Sequence, residues 1–428
     1  MQRLIPSETA LVLGGGGAKG AYQIGAIDAL EEMGVRALSA YGTSIGAINA
    51  AMYAQGRMDE AHALWASLRM DDLIGSEDAA LAEEAEGMFD SPDKLLEFIA
   101  RHAHRKGLDT APMMQLIRRH VDEDRLRQSG VRFGLTATRF PKLSLCEKHL
   151  EHMERGSVCD WLMASASCFP AFPMKQVGEE RYIDGGFLDN VPVDMAFRAG
   201  ARHVIAVDIG RKPSHPYFAA RPNVTYIRAS QPLGGLLAFD PARAEENRII
   251  GYHDTLRAFG RVRGTQYAFD AGDAQALTRR AEDFLAQLTQ FESGMRQQNL
   301  PGKDGAPLFA ALGQDLRPGA DAVDYFLRAL ELCAQTLSVP PAQLMTYETM
   351  LAAIRARLPL DKAEAMLDSL LGGRIGVLFA PPQPDRKIVL ACLYHILMRE
   401  HAFSALAMRT LAAFPKELVC ALTLREIL

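Results

Sequence analysis

The chain has 428 residues, of which 48% are apolar and 23% are charged, a balance typical of a folded globular protein. This length predicts a large domain followed by a second unit. The net charge of −5 argues against the basic field on which nucleic-acid binding usually depends, so we expect no nucleic-acid partner.

The termini and the cysteines narrow the class of protein further. No apolar run reaches the about 20 residues needed to span a bilayer, and the N-terminal sequence lacks the pattern of a signal peptide. We therefore expect a cytoplasmic location. The six cysteines are scattered and form no CxxC or Cys/His pattern, which predicts buried free thiols and no metal site.

Short apolar strands alternate with helical stretches through the first half of the chain. In order, TALVLGG predicts a strand, AYQIGAIDALEEMG a helix, ALSAYGTS a second strand and IGAINAAMYAQG a second helix. Further strands are predicted at VRFGLTATR, LSLCEKHL, RYIDGG, RHVIAVDIG and VTYIRA. This alternation predicts an α/β fold of three layers, in which a mostly parallel sheet carries helices on both faces.

A glycine-rich loop, GGGGAKG, follows the first predicted strand. Gly15, Gly17 and Gly20 satisfy GxGxxG, but a dinucleotide site also needs an acidic residue about 20 positions later, where this chain has none. A phosphate-binding P-loop is excluded too, because Lys19 is followed by Gly20 rather than by Ser or Thr. A loop whose N–H groups receive an oxyanion fits the sequence better.

The motif GTSIG lies between the second predicted strand and the second predicted helix. The small residues Gly42 and Gly46 allow a tight turn that exposes the hydroxyl of Ser44. The helix that begins after Ser44 also directs its positive N-terminal end toward this hydroxyl. This placement favours Ser44 as a nucleophile over a chance match.

A serine nucleophile needs a base, and one candidate is Asp184, which ends the predicted strand RYID and precedes Gly185 and Gly186. The two glycines permit a sharp turn and the close approach of another backbone. Considered alone, an ordinary Asp-Gly turn is the better interpretation of this stretch.

Together, GGGGAKG, GTSIG and DGG in this order resemble the patatin-like phospholipase family, and so do ASASCFPAFP, DGGFLDNVPV and GLDTAPM. The resemblance covers roughly residues 8 to 260. It implies a patatin-like sheet domain in which Ser44 is the nucleophile and Asp184 its base, without histidine. It further implies an oxyanion hole built from the N–H groups of Gly15, Gly16 and Gly17.

The resemblance also implies a lipid ester substrate, such as a phospholipid, peripheral contact with a membrane, and no metal or cofactor. Lys19 occupies a position where the family carries Arg or Lys, and it orients the loop or attracts a phosphate headgroup. A solvated lysine at a helix start is an equally good interpretation.

The domain organisation follows from these motifs and from the thinning of strand signals after about residue 212. We expect a catalytic domain over 8–212, a strand and helices that complete or flank it over 213–300, and a helical region of unknown role over 301–428. The last region is a candidate lid, oligomer interface or partner-binding surface. The charged helical stretch at 57–128 either covers the site or serves as scaffold.

Three alternatives remain open at this level. A Ser-His-Asp α/β-hydrolase would combine Ser44 with Asp208 and either His215 or His253. An acyltransferase would use the same serine and aspartate with an acceptor other than water. A binding module would keep the fold without turnover.

Overall fold

The structure is a computed structural model, and it describes residues 8–90, 92–102, 107–210, 212–270, 274–297, 307–313, 316, 319–341, 344–364, 385–399 and 414–427. These residues form two compact units, which divide between Ala258 and Phe259.

The first unit is built on one sheet of eight strands. They are β1 (Thr9–Leu13), β2 (Ser39–Thr43), β3 (Arg132–Phe140), β4 (Ser144–His149), β5 (Lys175–Val177), β6 (Glu180–Asp184), β7 (His203–Asp208) and β8 (Val224–Arg228). β1, β2, β3, β7 and β8 pair in parallel, whereas β4, β5 and β6 pair antiparallel to their neighbours. The predicted mostly parallel sheet is confirmed, and only the three-residue β5 was not predicted.

The helices of the first unit follow the strands closely in the chain. They are α1 (Ala21–Glu32), α2 (Ile45–Ala54), α3 (Met58–Trp65), α4 (Ala79–Glu86), α5 (Pro92–His102), α6 (Ala111–His120), α7 (Glu123–Gln128), α8 (Val158–Ser165), α9 (Val193–Arg198), α10 (Pro216–Ala219) and α11 (Pro241–Ala258).

The central strand β1 is buried on both faces. Ala10 and Val12 belong to one apolar cluster with Val193 and Met195 of α9. Because side chains alternate along a strand, Leu11 and Leu13 point to the opposite face, and both are fully buried. Helices therefore cover both faces of the sheet, which confirms the predicted three-layer architecture.

The strand β3 pairs with three other strands. The paired residues of β3 are 132–136 with β2, 137–140 with β6 and 134–139 with β4. A strand has two hydrogen-bonding edges, and β4 overlaps both of the other ranges. Thus β2 and β6 must share the edge of β3 that lies opposite β4.

The carboxyl ends of β2 and β6 consequently meet on that edge. Thr43, the last residue of β2, lies opposite Thr136, while Asp184, the last residue of β6, lies opposite Ala137. Adjacent residues of β3 thus align the two strand ends. Whatever follows Thr43 in the chain is placed beside Asp184.

The second unit is largely helical, as the sequence predicts. Its helices are α12 (Ala274–Gln297), α13 (Pro307–Gly313), α14 (Ala322–Thr336), α15 (Tyr347–Arg355), α16 (Arg386–Arg399) and α17 (Pro415–Ile427). They share one buried apolar cluster that includes Phe284, Phe326 and Leu418. A small sheet of β9 (Val262–Arg263), β10 (Ala268–Asp270) and β11 (Leu344–Met345) accompanies them. No described helix has the length and apolar character required to cross a membrane.

Candidate active site

Ser44 occupies a sharp turn between β2 and α2. Its backbone has φ 55° and ψ −128°, a conformation that is costly for any residue with a side chain. The turn closes only because its flanking residues lack side chains. A Cβ on Gly42 would lie 2.3 Å from the carbonyl oxygen of Gly46, and a Cβ on Gly46 would lie 2.2 Å from that of Leu13. The spacing of GTSIG thus has a steric cause in this fold.

The Ser44 side chain lies at the same end of one cavity as the carboxylate of Asp184, 140 positions away in the sequence, and it is close enough to lower the pKa of that carboxyl. The Asp184 Oδ1 atom also accepts the N–H of Gly186 at 2.7 Å. Burial raises the pKa of Asp184 from 3.8 to about 6, although Ser44 and the bond from Gly186 lower it in part. The carboxyl is only 6% exposed, which accounts for the rise.

The glycines after Asp184 are required by crowding. A Cβ on Gly185 would lie 2.5 Å from the Thr136 carbonyl oxygen, and one on Gly186 would lie 2.8 Å from Oδ1 of Asn190. The Asp-Gly-Gly sequence therefore does more here than form an exposed turn. It seats the aspartate against β3.

The hydrogen bonds of the glycine loop contradict one prediction, that the N–H of Gly15 is an oxyanion donor. The N–H of Gly15 donates to the carbonyl of Asn190 at 3.1 Å, so Gly15 is not a free oxyanion donor. Its lack of a side chain serves close approach instead, since a Cβ there would lie 3.1 Å from that of Ser44. In the part of the chain that the structure describes, no acceptor is recorded for the N–H groups of Gly16 or Gly17.

Gly17 begins a short 3₁₀ helix, Gly17–Gly20, and has φ +57°, the left-handed region that favours glycine. The next residue, Ala18, donates its N–H to the carbonyl of Leu236 at 2.8 Å. The same carbonyl oxygen would lie 2.1 Å from a Cβ on Gly17. The segment around Leu236 thus packs closely on the loop and fixes its position.

Buried amide side chains of α1 and α2 also hold the glycine loop in place. Gln23 Nε2 donates to the carbonyl of Gly14 at 2.6 Å, and Asn49 Nδ2 donates to that of Gly20 at 3.1 Å. The two amides bond to each other, and Trp65 Nε1 donates to Asn49 at 3.1 Å. A chain of satisfied buried polar groups of this kind rigidifies the loop that it bonds.

A cavity of about 420 Å³ opens at Ser44. Its polar end includes Ser44, Asp184, Lys19 and the glycine loop, while the remaining wall is mostly apolar. Side chains that form this apolar wall include Leu64 and Trp65 of α3, Met113 and Ile117 of α6, and Leu237 and Phe239. The helical stretch at 57–128 therefore contributes part of the site.

The histidines of the alternative triad lie elsewhere. His215 Nε2 bonds Asp189 at 3.0 Å, and Asp208 accepts bonds from Tyr226 and from the N–H groups of its own loop. His253 is buried on α11. None of these three candidates is among the residues that line the cavity at Ser44.

The fold and the site define an α/β protein with a serine elbow and a glycine loop at the carboxyl edge of a mostly parallel sheet. Residues 11–197 match the family model described as patatin-like phospholipase, so this part of the chain is similar to that family. The resemblance seen in the sequence is confirmed.

Curated relatives match over about half of the chain. The segment is 28% identical over 209 residues to the lysophospholipase NTE1 of Mycosarcoma maydis, and 30% identical over 217 residues to human patatin-like phospholipase domain-containing protein 6. Each match covers 49% of this chain, but only 10% and 14% of those two proteins.

Two solved structures match over nearly the whole chain. VipD from Legionella pneumophila aligns with a TM-score of 0.36 at 15% identity and covers 97% of this chain and 92% of its own. ExoU of Pseudomonas aeruginosa, in complex with SpcU, aligns with a TM-score of 0.34 at 18% identity and covers 98% and 91%.

Several site residues were not identified from the sequence. Ser165 lies within ASASCFPAFP and Asn190 within DGGFLDNVPV, so both belong to quoted motifs whose individual roles had no local signal. Gln23 and Asn49 resemble ordinary helical polar residues, and only the fold reveals that they bond to the glycine loop.

Proposed function

We propose that the chain is a lipid acyl hydrolase, of phospholipase A type or a broader carboxylesterase, which acts through Ser44 and Asp184. The observation that supports this most strongly is the alignment of the ends of β2 and β6 on β3, which brings Ser44 and the buried Asp184 carboxylate to the same end of one cavity. This carboxylate is buried and has a raised pKa, as expected of a general base tuned toward neutral pH.

The reaction proceeds in two steps. Asp184 accepts the hydroxyl proton while Ser44 Oγ forms a bond to the ester carbonyl carbon. The resulting tetrahedral intermediate collapses, the alcohol leaves with the proton, and an acyl-enzyme remains. A water molecule then attacks the carbonyl carbon of the acyl-enzyme, with Asp184 as base, and the fatty acid leaves as Ser44 is regenerated.

The N–H groups of Gly16 and Gly17 receive the negative charge that develops on the carbonyl oxygen. Gly15 instead sets the distance between the loop and Ser44. Loss of one such donor typically costs about 2.7–4 kcal/mol of activation free energy. The Asn49 and Gln23 amides support these donors because they restrict the loop.

The apolar cavity accommodates the acyl chain. A cavity of about 420 Å³ with a mostly apolar wall suits an acyl chain better than a polar substrate.

Lys19 and two exposed side chains favour contact with a lipid surface. Lys19 lines the cavity beside Ser44, where an ammonium group attracts a phosphate headgroup. Phe187 is 45% exposed and lines the same cavity, and Leu188 beside it is 47% exposed. Exposed apolar side chains at the rim of a lipid site lower the cost of drawing a chain from a bilayer.

The test is a panel of phospholipids, lysophospholipids and simple esters with purified protein, in which mass spectrometry identifies the products. A fluorophosphonate probe should label Ser44, and Ser44→Ala should abolish both labelling and release of fatty acid. Transfer of the acyl group to an added alcohol without hydrolysis would replace the hydrolase by an acyltransferase. Labelling of another serine would overturn the assignment.

A further inference from the structure

A three-residue segment, Ser165-Ala166-Ser167, contacts the backbone of both proposed reacting residues. The Ser44 N–H donates to Oγ of Ser165 at 2.9 Å. The Asp184 N–H donates to the carbonyl of Ser167 at 2.8 Å. One short segment at the end of α8 thus contacts both members of the pair.

The segment is itself firmly held. Ser165 is the last residue of α8, and its side chain is fully buried. The hydroxyl of Ser167 donates to the carbonyl of Met163 at 2.8 Å, which ties the segment back onto the helix. Since α8 packs against both β3 and β6, the segment shares the rigid frame of the sheet.

The contact to Ser44 matters because of the backbone conformation there. A non-glycine residue at φ 55° and ψ −128° stores strain, and it stays in that conformation only when its surroundings impose it. The crowded glycines on either side fix the path of the chain but provide no bond to the Ser44 N–H. Ser165 provides that bond with a side-chain oxygen.

We propose that Ser165 is a positioning residue, whose hydroxyl oxygen holds the Ser44 N–H and so keeps the nucleophile aligned with Asp184. This inference rests on the proposed function, because it assumes that Ser44 and Asp184 perform the reaction. Ser165 itself touches no reacting atom. Its effect is on the rate of the chemical step rather than on binding.

The first experiment compares Ser165→Ala with a matched control, Ser39→Ala. Ser39 is an equally buried serine at the opposite end of β2. For Ser165→Ala we expect kcat to fall about 10- to 100-fold, the usual effect of a misplaced reacting group. KM should stay within about twofold, since the binding surface is unchanged. Ser39→Ala should retain the wild-type kcat.

The pH dependence of kcat distinguishes loss of alignment from simple loss of packing, which would leave the pH profile unchanged. The Ser44 side chain lowers the pKa of Asp184. If Ser44 loses its alignment, this effect weakens, the pKa of Asp184 rises, and the acid limb of kcat should shift to higher pH in Ser165→Ala. An unchanged limb together with an unchanged kcat would overturn the inference.

A second pair of variants separates the effect of the hydroxyl group from the effect of side-chain volume. Ser165→Thr and Ser165→Val have the same volume, but only the threonine retains an acceptor oxygen. The threonine variant should have at least 10-fold higher kcat than the valine variant, in the range expected for orientation effects. Equal kcat values for folded Thr and Val variants would overturn the inference, whether or not Ser165→Ala folds.

The outcome separates this inference from the proposed function. If the wild-type protein is neither labelled at Ser44 nor active on any ester, the proposed function fails. If the wild type is labelled and active while all Ser165 variants match it, only the positioning role fails.

Discussion

Asp184→Asn should abolish turnover and at the same time stabilise the fold at alkaline pH. The carboxyl has a pKa of about 6 in the folded protein, against 3.8 for the exposed group, because it is buried. At 1.36 kcal/mol per pKa unit, this difference of about two units corresponds to about 3 kcal/mol. The folded state holds the proton more tightly than the unfolded chain does. Its stability therefore falls as the pH rises from about 4 through 6.

The asparagine side chain is neutral at every pH and avoids this loss. Urea denaturation at pH 4, 6 and 8 measures the effect directly. We expect equal stability of wild type and variant near pH 4, and an advantage approaching about 3 kcal/mol for Asp184→Asn at pH 8. Ser44→Ala is the control, because it is equally inactive but keeps the buried carboxylate. It should gain no stability at pH 8.

Two results would contradict this prediction. A difference in stability that is the same at pH 4 and pH 8 would mean that burial of the Asp184 charge is not its source. Retained turnover in Asp184→Asn would refute its role as base. The two readouts are independent, since one concerns folding and the other the chemical step.

Three further predictions concern the walls of the site. Gly17→Ala should lower kcat roughly 10²- to 10³-fold, the usual loss of an oxyanion donor, because a Cβ there would lie 2.1 Å from the Leu236 carbonyl oxygen and force the loop to move. Near-wild-type kcat for this variant would exclude the loop from the reaction. Met113→Trp should shorten the preferred acyl chain, with kcat/KM falling about fourfold for each methylene excluded, the equivalent of about 0.8 kcal/mol. A series of nitrophenyl esters measures this, and an unchanged chain-length profile would place the acyl chain elsewhere. His215→Ala should keep kcat within about twofold, because His215 pairs with Asp189, and a much larger loss in a steady-state assay would favour a Ser-His-Asp arrangement.

The elements around the nucleophile could be predicted because local sequence determines them. An apolar strand, a GTSIG turn and a helix occupy consecutive positions, and the steric demands of Gly42 and Gly46 arise from neighbours close in sequence or from β1. From the sequence alone, the proposed pairing of Ser44 with Asp184 depends on the family resemblance. The register on β3 provides its physical basis.

Other features depend on partners far away in the chain. The N–H of Gly15 is occupied by Asn190, 175 positions later, and no local pattern indicates this. The amphipathic helix around Ile117 could be predicted, but the surface that it faces could not. The strands of the second unit are two or three residues long, too short for an alternating pattern to reveal them.

The shared edge of β3 has a consequence for how this fold can diversify. Because adjacent residues of one strand align the ends of β2 and β6, the relative placement of Ser44 and Asp184 does not depend on the length of chain between them. The segment from α2 to α7 lies between these two residues in the chain and supplies walls of the cavity at Ser44. Cavity residues of this segment outside the glycine-loop network, such as Met113 and Ile117, can change and so alter which chain the proposed enzyme accepts, while the sheet preserves the alignment of Ser44 and Asp184.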